Sequence, residues 1–255
     1  MWSPADYARF RDARRRPFFE LLARVDAATP LNVADLGCGT GELTRELLRR
    51  WPTARVDGVD SSAQMLAEAQ AHALEGRLVF TRADLASWAP PAPLDVLVSN
   101  AALHWVPGHR ALLERLVGML APGGTLAFQV PANFEAPSHR LVEGLRASVR
   151  FGPWLAGVQG GHVEPLGWYV AQLGEWGLEV DAWETTYLHL LPGPDAVLEW
   201  LRGTTLRPIL AALPPAEAGV FLTTLRPLLR EAYPPAGQAT PFPFSRRFVV
   251  ARRPG

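Results

Sequence analysis

The chain has 255 residues, of which 48% are hydrophobic, and its 25 basic and 25 acidic side chains balance. This length and composition predict one globular domain spanning residues 1–255, and the zero net charge argues against a nucleic-acid partner. Every basic residue is an arginine, so the absence of lysine excludes a Schiff base and a Walker A phosphate loop.

The sequence also limits the compartment and the metal chemistry. It contains no apolar run of membrane-spanning length, and its N-terminus lacks the basic and apolar regions of a signal peptide. We therefore expect a cytoplasmic protein without a membrane partner. The single cysteine, Cys38, excludes an internal disulfide and a cysteine metal cluster, and we predict no metal site.

Residues 1–29 precede the first predicted strand. Tyr7, Phe10 and Phe18 could share one side of a helix, which Pro17 is expected to break or restart. Two interpretations are open for this segment. It is either an amphipathic helix packed on the core or a lid over a ligand site, because aromatic and arginine side chains suit a ligand with a ring and a carboxylate.

From Leu31 onward, strand-like and helix-like runs alternate, which is typical of a parallel sheet. We predict strands at 32–36, 55–59, 77–81, 94–99 and 124–130, and helices at 42–51, 62–74 and 109–120. A helix at 166–176, a strand at 179–191 and a last strand at 244–252 follow. The Gly- and Pro-rich segments 131–165 and 192–235 interrupt this pattern, and we interpret them as inserted helical caps that cover a substrate.

The most informative stretch is D-L-G-C-G-T-G, from Asp35 to Gly41, between a strand and a helix. Glycine lets the backbone turn sharply and lets a ligand approach the main chain. Asp60 ends the second strand, where a carboxylate can accept both hydroxyls of a ribose. Both dinucleotide enzymes and methyltransferases share this arrangement. The G-x-G-x-G spacing and the preceding acid, which suits a cationic cofactor, favour the second class, and the stretch resembles motif I of class I S-adenosylmethionine (SAM) methyltransferases.

Polar residues stand at the ends of five predicted strands, and parallel strands place these ends at one edge of a sheet. They are Asp35, Asp60, Asp84, Asn100 and Gln129. Asp84 resembles the third methyltransferase motif, and an Asx turn or a helix cap is the structural alternative. S-N-A-A-L-H-W, from Ser99 to Trp105, resembles the motif after the fourth strand. His104 could be a site residue or a surface imidazole.

Further motifs resemble one family over nearly the whole length. They are W-x-P-x-x-Y-x-x-F (Trp2 to Phe10), R-x-R-P with E-L-L-A-R-V (Arg14 to Val25), R-W-P (Arg50 to Pro52), G-V-D-S-S (Gly58 to Ser62), W-x-T-T-Y-x-H (Trp183 to His189), L-R-P (Leu206 to Pro208) and F-x-V-A-R-R (Phe248 to Arg253). Together they resemble the trans-aconitate 2-methyltransferases. The resemblance implies a Rossmann-like α/β fold: a seven-stranded, mostly parallel sheet with helices on both faces, inserted helical caps and an N-terminal lid.

The resemblance also implies the ligands and their contacts. SAM would be the cofactor, with S-adenosylhomocysteine as its product, and a small polycarboxylate would be the substrate of a monomer or small homo-oligomer. The expected cofactor residues are Asp35, Gly37, Cys38, Gly39, Gly41, Asp60, Ser61, Asp84, Leu85, Asn100, Ala101 and Arg14. The expected substrate residues are Trp2, Tyr7, Trp105, Tyr187, His189, Trp200, Thr205 and Arg207, and His104 and Arg207 would position the reacting groups.

The chemistry expected of this family needs no general base, because a carboxylate with a pKa near ~4 is already ionised at neutral pH. Since lysine is absent, arginine must bind the anions, and Arg207 is the first candidate, with a helix-end charge as the simpler alternative. Three alternative functions stay open. The chain could methylate another small acid or hydroxyl, bind SAM without catalysis or, more distantly, be an NAD(P)-dependent reductase.

Overall fold

In a computed structural model, the structure describes residues 11–255, with side chains from residue 15 onward. Seven strands form one sheet in the order β3-β2-β1-β4-β5-β7-β6. The strands are β1 (Asn32–Leu36), β2 (Arg55–Asp60), β3 (Leu78–Arg82), β4 (Leu94–Asn100), β5 (Leu120–Pro131), β6 (Glu179–Pro192) and β7 (Ala239–Arg252). The first five are parallel, and β7 is antiparallel to both of its neighbours, which confirms the predicted mostly parallel α/β sheet.

The described helices are α1 (Arg11–Ala23), α2 (Thr44–Arg50), α3 (Ala63–Ala69), α4 (His109–Gly118), α5 (Pro137–Arg146), α6 (Gly152–Leu155), α7 (Leu166–Glu175), α8 (Ala196–Arg202), α9 (Leu206–Ala212) and α10 (Pro215–Ala232). Ser62 caps α3, as expected, by accepting a hydrogen bond from the Met65 N–H. None of the described helices is long and apolar enough to cross a membrane.

The last strand begins five residues before the predicted boundary, at Ala239. Its early part contains Pro241 and Pro243, which favour a loop when the sequence is read alone. Pairing with β5 ends at Arg246, so this part of β7 pairs only with β6. Proline is tolerated in a strand whose N–H side faces no partner, which explains the longer strand.

Three groups of buried side chains hold these elements together. One face of the sheet packs against α1 and α2 through Phe18, Leu21 and Leu47. The opposite face packs against α4 and α7, where Tyr169 is fully buried. The third group lies between the two inserted segments and the ends of β6 and β7, so the caps have a core of their own around Trp200.

The described part of the N-terminal segment packs into the core. Phe18, Leu21, Leu22 and Val25 are buried beneath the sheet, and α1 runs through Pro17 without the predicted break. This burial is what the packed-helix interpretation expects for residues 18–25, and the lid over a ligand stays a prediction. The lid residues Trp2 and Tyr7 lie outside the described residues, as does the side chain of Arg14.

A single carboxylate fastens α1 to the edge strand β6. Glu20 accepts hydrogen bonds from Trp183 Nε1 (2.9 Å), Thr185 Oγ1 and the Tyr187 hydroxyl. Burial raises the pKa of Glu20, but the bonds from Thr185, Tyr187 and Trp183 outweigh it, so the pKa lies below its ordinary value. The W-x-T-T-Y motif therefore positions a helix, and Tyr187, a predicted substrate residue, is not part of the cavity lining.

Glu20→Gln should destabilise the fold by about 1–3 kcal/mol at pH 7, because an amide accepts fewer of these bonds and leaves a donor unpaired. Urea unfolding measures this difference, with Glu68→Gln on the exposed side of α3 as the control. The pKa of Glu20 is lower in the folded than in the unfolded state. Its stabilisation is therefore present at pH values above the unfolded-state pKa and disappears as pH falls through the folded-state pKa. The unfolding free energies of wild type and Glu20→Gln should therefore converge at acidic pH. Equal stability at pH 7 would contradict the role of Glu20.

Candidate active site

A cavity of about 1060 Å³ lies at the carboxyl ends of the central parallel strands, under the two inserted segments. Strand ends and the turns after them form its floor, and α5, α8 and α9 contribute its roof. This is where parallel sheets generally bind ligands, next to the point at which the strand order reverses between β1 and β4. The predicted cofactor residues in the lining lie at the ends of β1 to β4, and this part is called the cofactor half. The remaining lining, from the 3-10 turn after β4, from β7 and from the caps, is called the substrate half.

The cofactor half is built on the turn after β1. Gly39 N–H donates to Asp60 Oδ2 (2.9 Å), and Asp60 Oδ1 accepts from the Ser62 N–H (2.8 Å). Gly37 and Gly39 both have positive φ, but a side chain would meet different surroundings at each. A Cβ on Gly37 would come 2.1 Å from the Ala102 Cβ, whereas a Cβ on Gly39 would meet nothing within 4 Å. Gly37 is therefore needed for packing, and Gly39 keeps space open for a ligand.

The other strand ends contribute Ser61, Asp84, Leu85, Asn100 and Ala101 to the lining. Asp84 Oδ1 also accepts from the Ala86 N–H (2.9 Å), so it forms the Asx turn and faces the cavity. Ala101 has φ 57°, an uncommon conformation for a residue with a side chain. Strained backbone of this kind is concentrated at ligand sites.

Three predicted cofactor residues lie behind the turn instead of lining the cavity. Asp35 is buried and accepts from Thr44 Oγ1 (2.6 Å). A Cβ on Gly41 would come 2.6 Å from the Phe80 ring, which makes this glycine a packing requirement. Cys38 is buried, and burial raises the pKa of its thiol, with further increases from Asp35 and Asp60, so it is an inert filler. In this structure these three residues support the turn from behind, and their contact with a ligand stays a prediction.

In the substrate half, His104 and Trp105 follow β4 in a single 3-10 turn and line the cavity. The imidazole of His104 is buried, and its Nδ1 has no hydrogen-bond partner among the described residues. Burial, together with the charges of Arg246 and His109, lowers the pKa of His104 to about 3. His104 is therefore a neutral polar group in this wall at physiological pH.

The caps bring further polar groups to the same cavity. Arg207 and Thr205, two of the predicted substrate residues, line it at the start of α9. Thr205 Oγ1 lies 3.2 Å from His139 Nε2, and burial lowers the pKa of His139 to about 4. His139 is therefore a second neutral imidazole in the wall, and the sequence prediction missed it.

Two further predicted substrate residues, Trp200 and His189, lie in different places. Trp200 lines the cavity from α8. His189 does not line it; the ring is buried and stacks on Trp200 at 4.7 Å between centroids. Burial, and the charges of Arg246 and Arg16, lower the pKa of His189 to about 4, so it supports Trp200 as a neutral ring.

Two arginines that sequence reasoning missed complete the wall. Arg146, on α5, pairs with Glu143 (3.0 Å) and also donates to the Val158 carbonyl. Arg246, on β7, is buried and lines the cavity. A signal for Arg246 exists in the sequence, because it occupies the inward position of an alternating strand, between Phe244 and Phe248. The described residues contain no group of three or more His, Cys, Asp or Glu suited to a metal ion.

The chain is similar in sequence to methyltransferases. Residues 33–124 match the model of a methyltransferase domain family. A trans-aconitate 2-methyltransferase of Streptomyces coelicolor is 52% identical, over 99% of this chain and 87% of the relative. The Mycobacterium tuberculosis protein of the same name is 44% identical, over 98% of this chain and 96% of its own length.

Solved structures support the same fold. An S-adenosylmethionine-dependent methyltransferase from Mesorhizobium loti superposes with a TM-score of 0.54 at 24% identity, covering 92% of this chain and 96% of its own. The N-methyltransferase NodS from Bradyrhizobium japonicum, solved with S-adenosylhomocysteine, gives 0.53 at 16% identity, covering 94% and 87%. At these identities the likeness concerns the fold alone.

Substitution of the two glycines should separate packing from ligand binding. Gly37→Ala should destabilise the protein by about 1–3 kcal/mol, because its Cβ would overlap Ala102. Gly39→Ala should lower the free energy of unfolding by only roughly 1 kcal/mol, the strain of an alanine in a left-handed conformation. It should nevertheless weaken S-adenosylhomocysteine binding. Denaturant unfolding and calorimetric titration measure the two effects. Wild-type affinity in Gly39→Ala would show that no ligand approaches this turn.

Asp35 should make the stability depend on pH. Burial raises its pKa to about 6, with Thr44 opposing and Asp60 adding to the rise. The pKa of Asp35 in the folded state exceeds the ordinary 3.8. Asp35 therefore contributes its full stabilisation below pH 3.8, and this contribution is lost as pH rises through about 6. Asp35→Asn does not titrate, so its stability relative to wild type should increase by about 1–3 kcal/mol between pH 4 and pH 7. Exposed Asp26→Asn is the control, and a pH-independent difference for Asp35→Asn would contradict the raised pKa.

Proposed function

The chain belongs to the trans-aconitate 2-methyltransferase family of SAM-dependent methyltransferases, and we propose that it forms a methyl ester on a carboxylate of trans-aconitate or a similar small polycarboxylic acid. The observation that carries the proposal is one cavity with two chemically different halves. Acidic strand-end residues line the cofactor half, and arginines and neutral imidazoles line the substrate half, where the acids Glu135 and Glu143 are each paired with an arginine.

The residues of the cofactor half fit SAM. The open space at Gly39 lets a ligand approach the main chain. Asp60 uses each carboxylate oxygen once for a backbone N–H, and each oxygen retains lone pairs for a ribose hydroxyl. Asp84 is part of the cavity lining, and its carboxylate can accept a hydrogen bond from the exocyclic amine of the adenine. When bound, SAM supplies an electrophilic methyl group.

The protein needs to position the acid more than to activate it. A carboxylate with an ordinary pKa near ~4 is ionised at neutral pH, so no side chain has to remove a proton. Holding the carboxylate oxygen in line with the methyl group can contribute roughly 7–11 kcal/mol. His104, which is neutral and lies in the 3-10 turn after β4, can orient the reacting carboxylate without neutralising its charge.

The remaining carboxylates of the substrate need charged donors, because burying an unpaired anion is costly. Arg207 lies in the cap lining and can offer its planar fork to one of them. The cavity lining also contains apolar residues, among them Phe134, Val142 and Ile209. Such residues exclude water and strengthen the ion pair.

The proposal also covers partners. We expect a free small-molecule substrate rather than a nucleic acid, supported by a net charge of zero. We further propose a monomer or small homo-oligomer in the cytoplasm. Light scattering of the purified protein would measure the assembly size.

The direct test is the mass of the product. The protein, SAM and trans-aconitate should give a species one methyl group heavier that alkali hydrolyses back to the acid, as an ester requires. A panel containing other small acids and hydroxyl compounds should be methylated more slowly. If trans-aconitate stays unmodified while another compound is methylated, the substrate assignment is wrong, and if none is methylated, the catalytic proposal is wrong.

Arg207→Lys should raise the Michaelis constant for trans-aconitate, because lysine keeps the charge but loses the fork. Arg207→Ala should cost more, on the order of 2–5 kcal/mol, if a buried carboxylate is left unpaired. Steady-state kinetics measures both, and S-adenosylhomocysteine affinity should change little. The control is Arg202→Ala, which removes an exposed arginine paired with Glu199 on α8. If Arg207→Ala behaves like this control, the carboxylate is bound elsewhere.

A further inference from the structure

Arg246 occupies an unusual place for a charged residue. It lies on β7 opposite Pro131, at the carboxyl end of β5, where the sheet meets the cavity. The residue is only 6% exposed. Since burying a guanidinium costs free energy, a side chain kept at this position needs either a structural or a ligand-binding reason.

The orientation of its guanidinium is fixed by a chain of hydrogen bonds. Arg246 NH1 donates to Gln129 Oε1 (3.0 Å), and Gln129 Nε2 donates to Asn100 Oδ1 (2.7 Å). Because arginine can only donate, the Gln129 amide has one consistent orientation, with its oxygen toward Arg246. The Phe244 ring lies 5.0 Å from the guanidinium carbon. Gln129 is fully buried, so this arrangement is set before any ligand binds.

Gln129 is a neutral amide, so its hydrogen bond orients the guanidinium without adding an opposing charge. Burial is the main cause of the lowered pKa of His104, and the charge of Arg246 lowers it further. The charge of Arg246 therefore acts inside the cavity. A buried, oriented cation at the wall of a cavity suits a carboxylate, which can accept two parallel N–H bonds from it.

We propose that Arg246 is a specificity-determining residue, which binds a second carboxylate of the substrate, and that Gln129 positions its guanidinium for this contact. The inference rests on the proposed function for the identity of the substrate. Arg246, on the sheet, and Arg207, on the cap, would then hold two carboxylates from two different elements. Monocarboxylic acids would use only one of these sites and would bind poorly.

The test compares two neighbouring arginines on opposite faces of β7. Arg246→Gln should raise the Michaelis constant for trans-aconitate by on the order of 30-fold or more, because it leaves a buried carboxylate unpaired. The preference for the triacid over an analogue lacking one carboxylate should fall by a similar factor, while S-adenosylhomocysteine affinity stays within about twofold. The matched control, Arg247→Gln, removes a side chain that pairs with Glu184 (3.2 Å) and does not line the cavity. It should keep the wild-type Michaelis constant and preference.

Gln129→Glu provides a second variant in case Arg246→Gln fails to fold. A carboxylate at this position would pair with Arg246 and compete with the substrate, so the Michaelis constant should rise about tenfold with a smaller change in kcat. Gln129→Met would remove the positioning bond without adding charge, and it should give an intermediate rise. A loss of stability alone would reduce the amount of active enzyme without changing substrate preference.

The outcomes separate this inference from the proposed function. Wild-type protein that leaves trans-aconitate unmethylated would refute the proposed function and this inference with it. Wild-type protein that esterifies trans-aconitate, together with an Arg246→Gln or Gln129→Glu variant of unchanged Michaelis constant and preference, would refute the role of Arg246 alone. A selective loss in both variants, with Arg247→Gln unaffected, would support it.

Discussion

The carboxylate of Asp60 connects the two turns on which the cofactor half depends. One oxygen accepts from Gly39, in the turn after β1, and the other accepts from Ser62, at the start of α3. The N–H groups of Gly37 and Cys38 also donate to the Val59 carbonyl, at 2.7 and 3.1 Å. The glycine turn is therefore tied to β2 by several bonds and has its shape before a ligand arrives. Preorganisation of this kind reduces the free energy that binding must spend on ordering the site.

The two halves of the cavity have opposite charge requirements, which suits the proposed reaction. SAM carries an ammonium and a sulfonium, and acidic residues at the strand ends favour such a ligand. A polycarboxylate carries several negative charges, and Arg207 and Arg246 face the side where it would bind. Lowered pKa values keep His104 and His139 neutral between these regions. Neutral groups near the reacting oxygen leave its negative charge available for attack.

Sequence alone predicted the parallel sheet and the glycine turn because both depend on local patterns: alternating apolar runs, glycine spacing and strand-end acids. It did not show which face of a strand meets the site. Trp183, Thr185 and Tyr187 share one face of β6, as their spacing of two implies, but only the packed structure shows that this face meets Glu20 rather than the cavity. Arg246 has the same spacing from Phe244 and Phe248, and its face could be assigned only after β7 was placed beside β5.

The central claim is that one cavity holds SAM on the sheet and a polycarboxylate between the sheet and the caps. A crystal structure of the protein with S-adenosylhomocysteine and trans-aconitate tests it most directly. The account predicts ribose hydroxyls on Asp60, carboxylates of the acid on Arg207 and Arg246, and a third carboxylate near His104 that points at the cofactor sulfur. An acid bound outside this cavity, or one with every carboxylate turned away from the sulfur, would contradict the account.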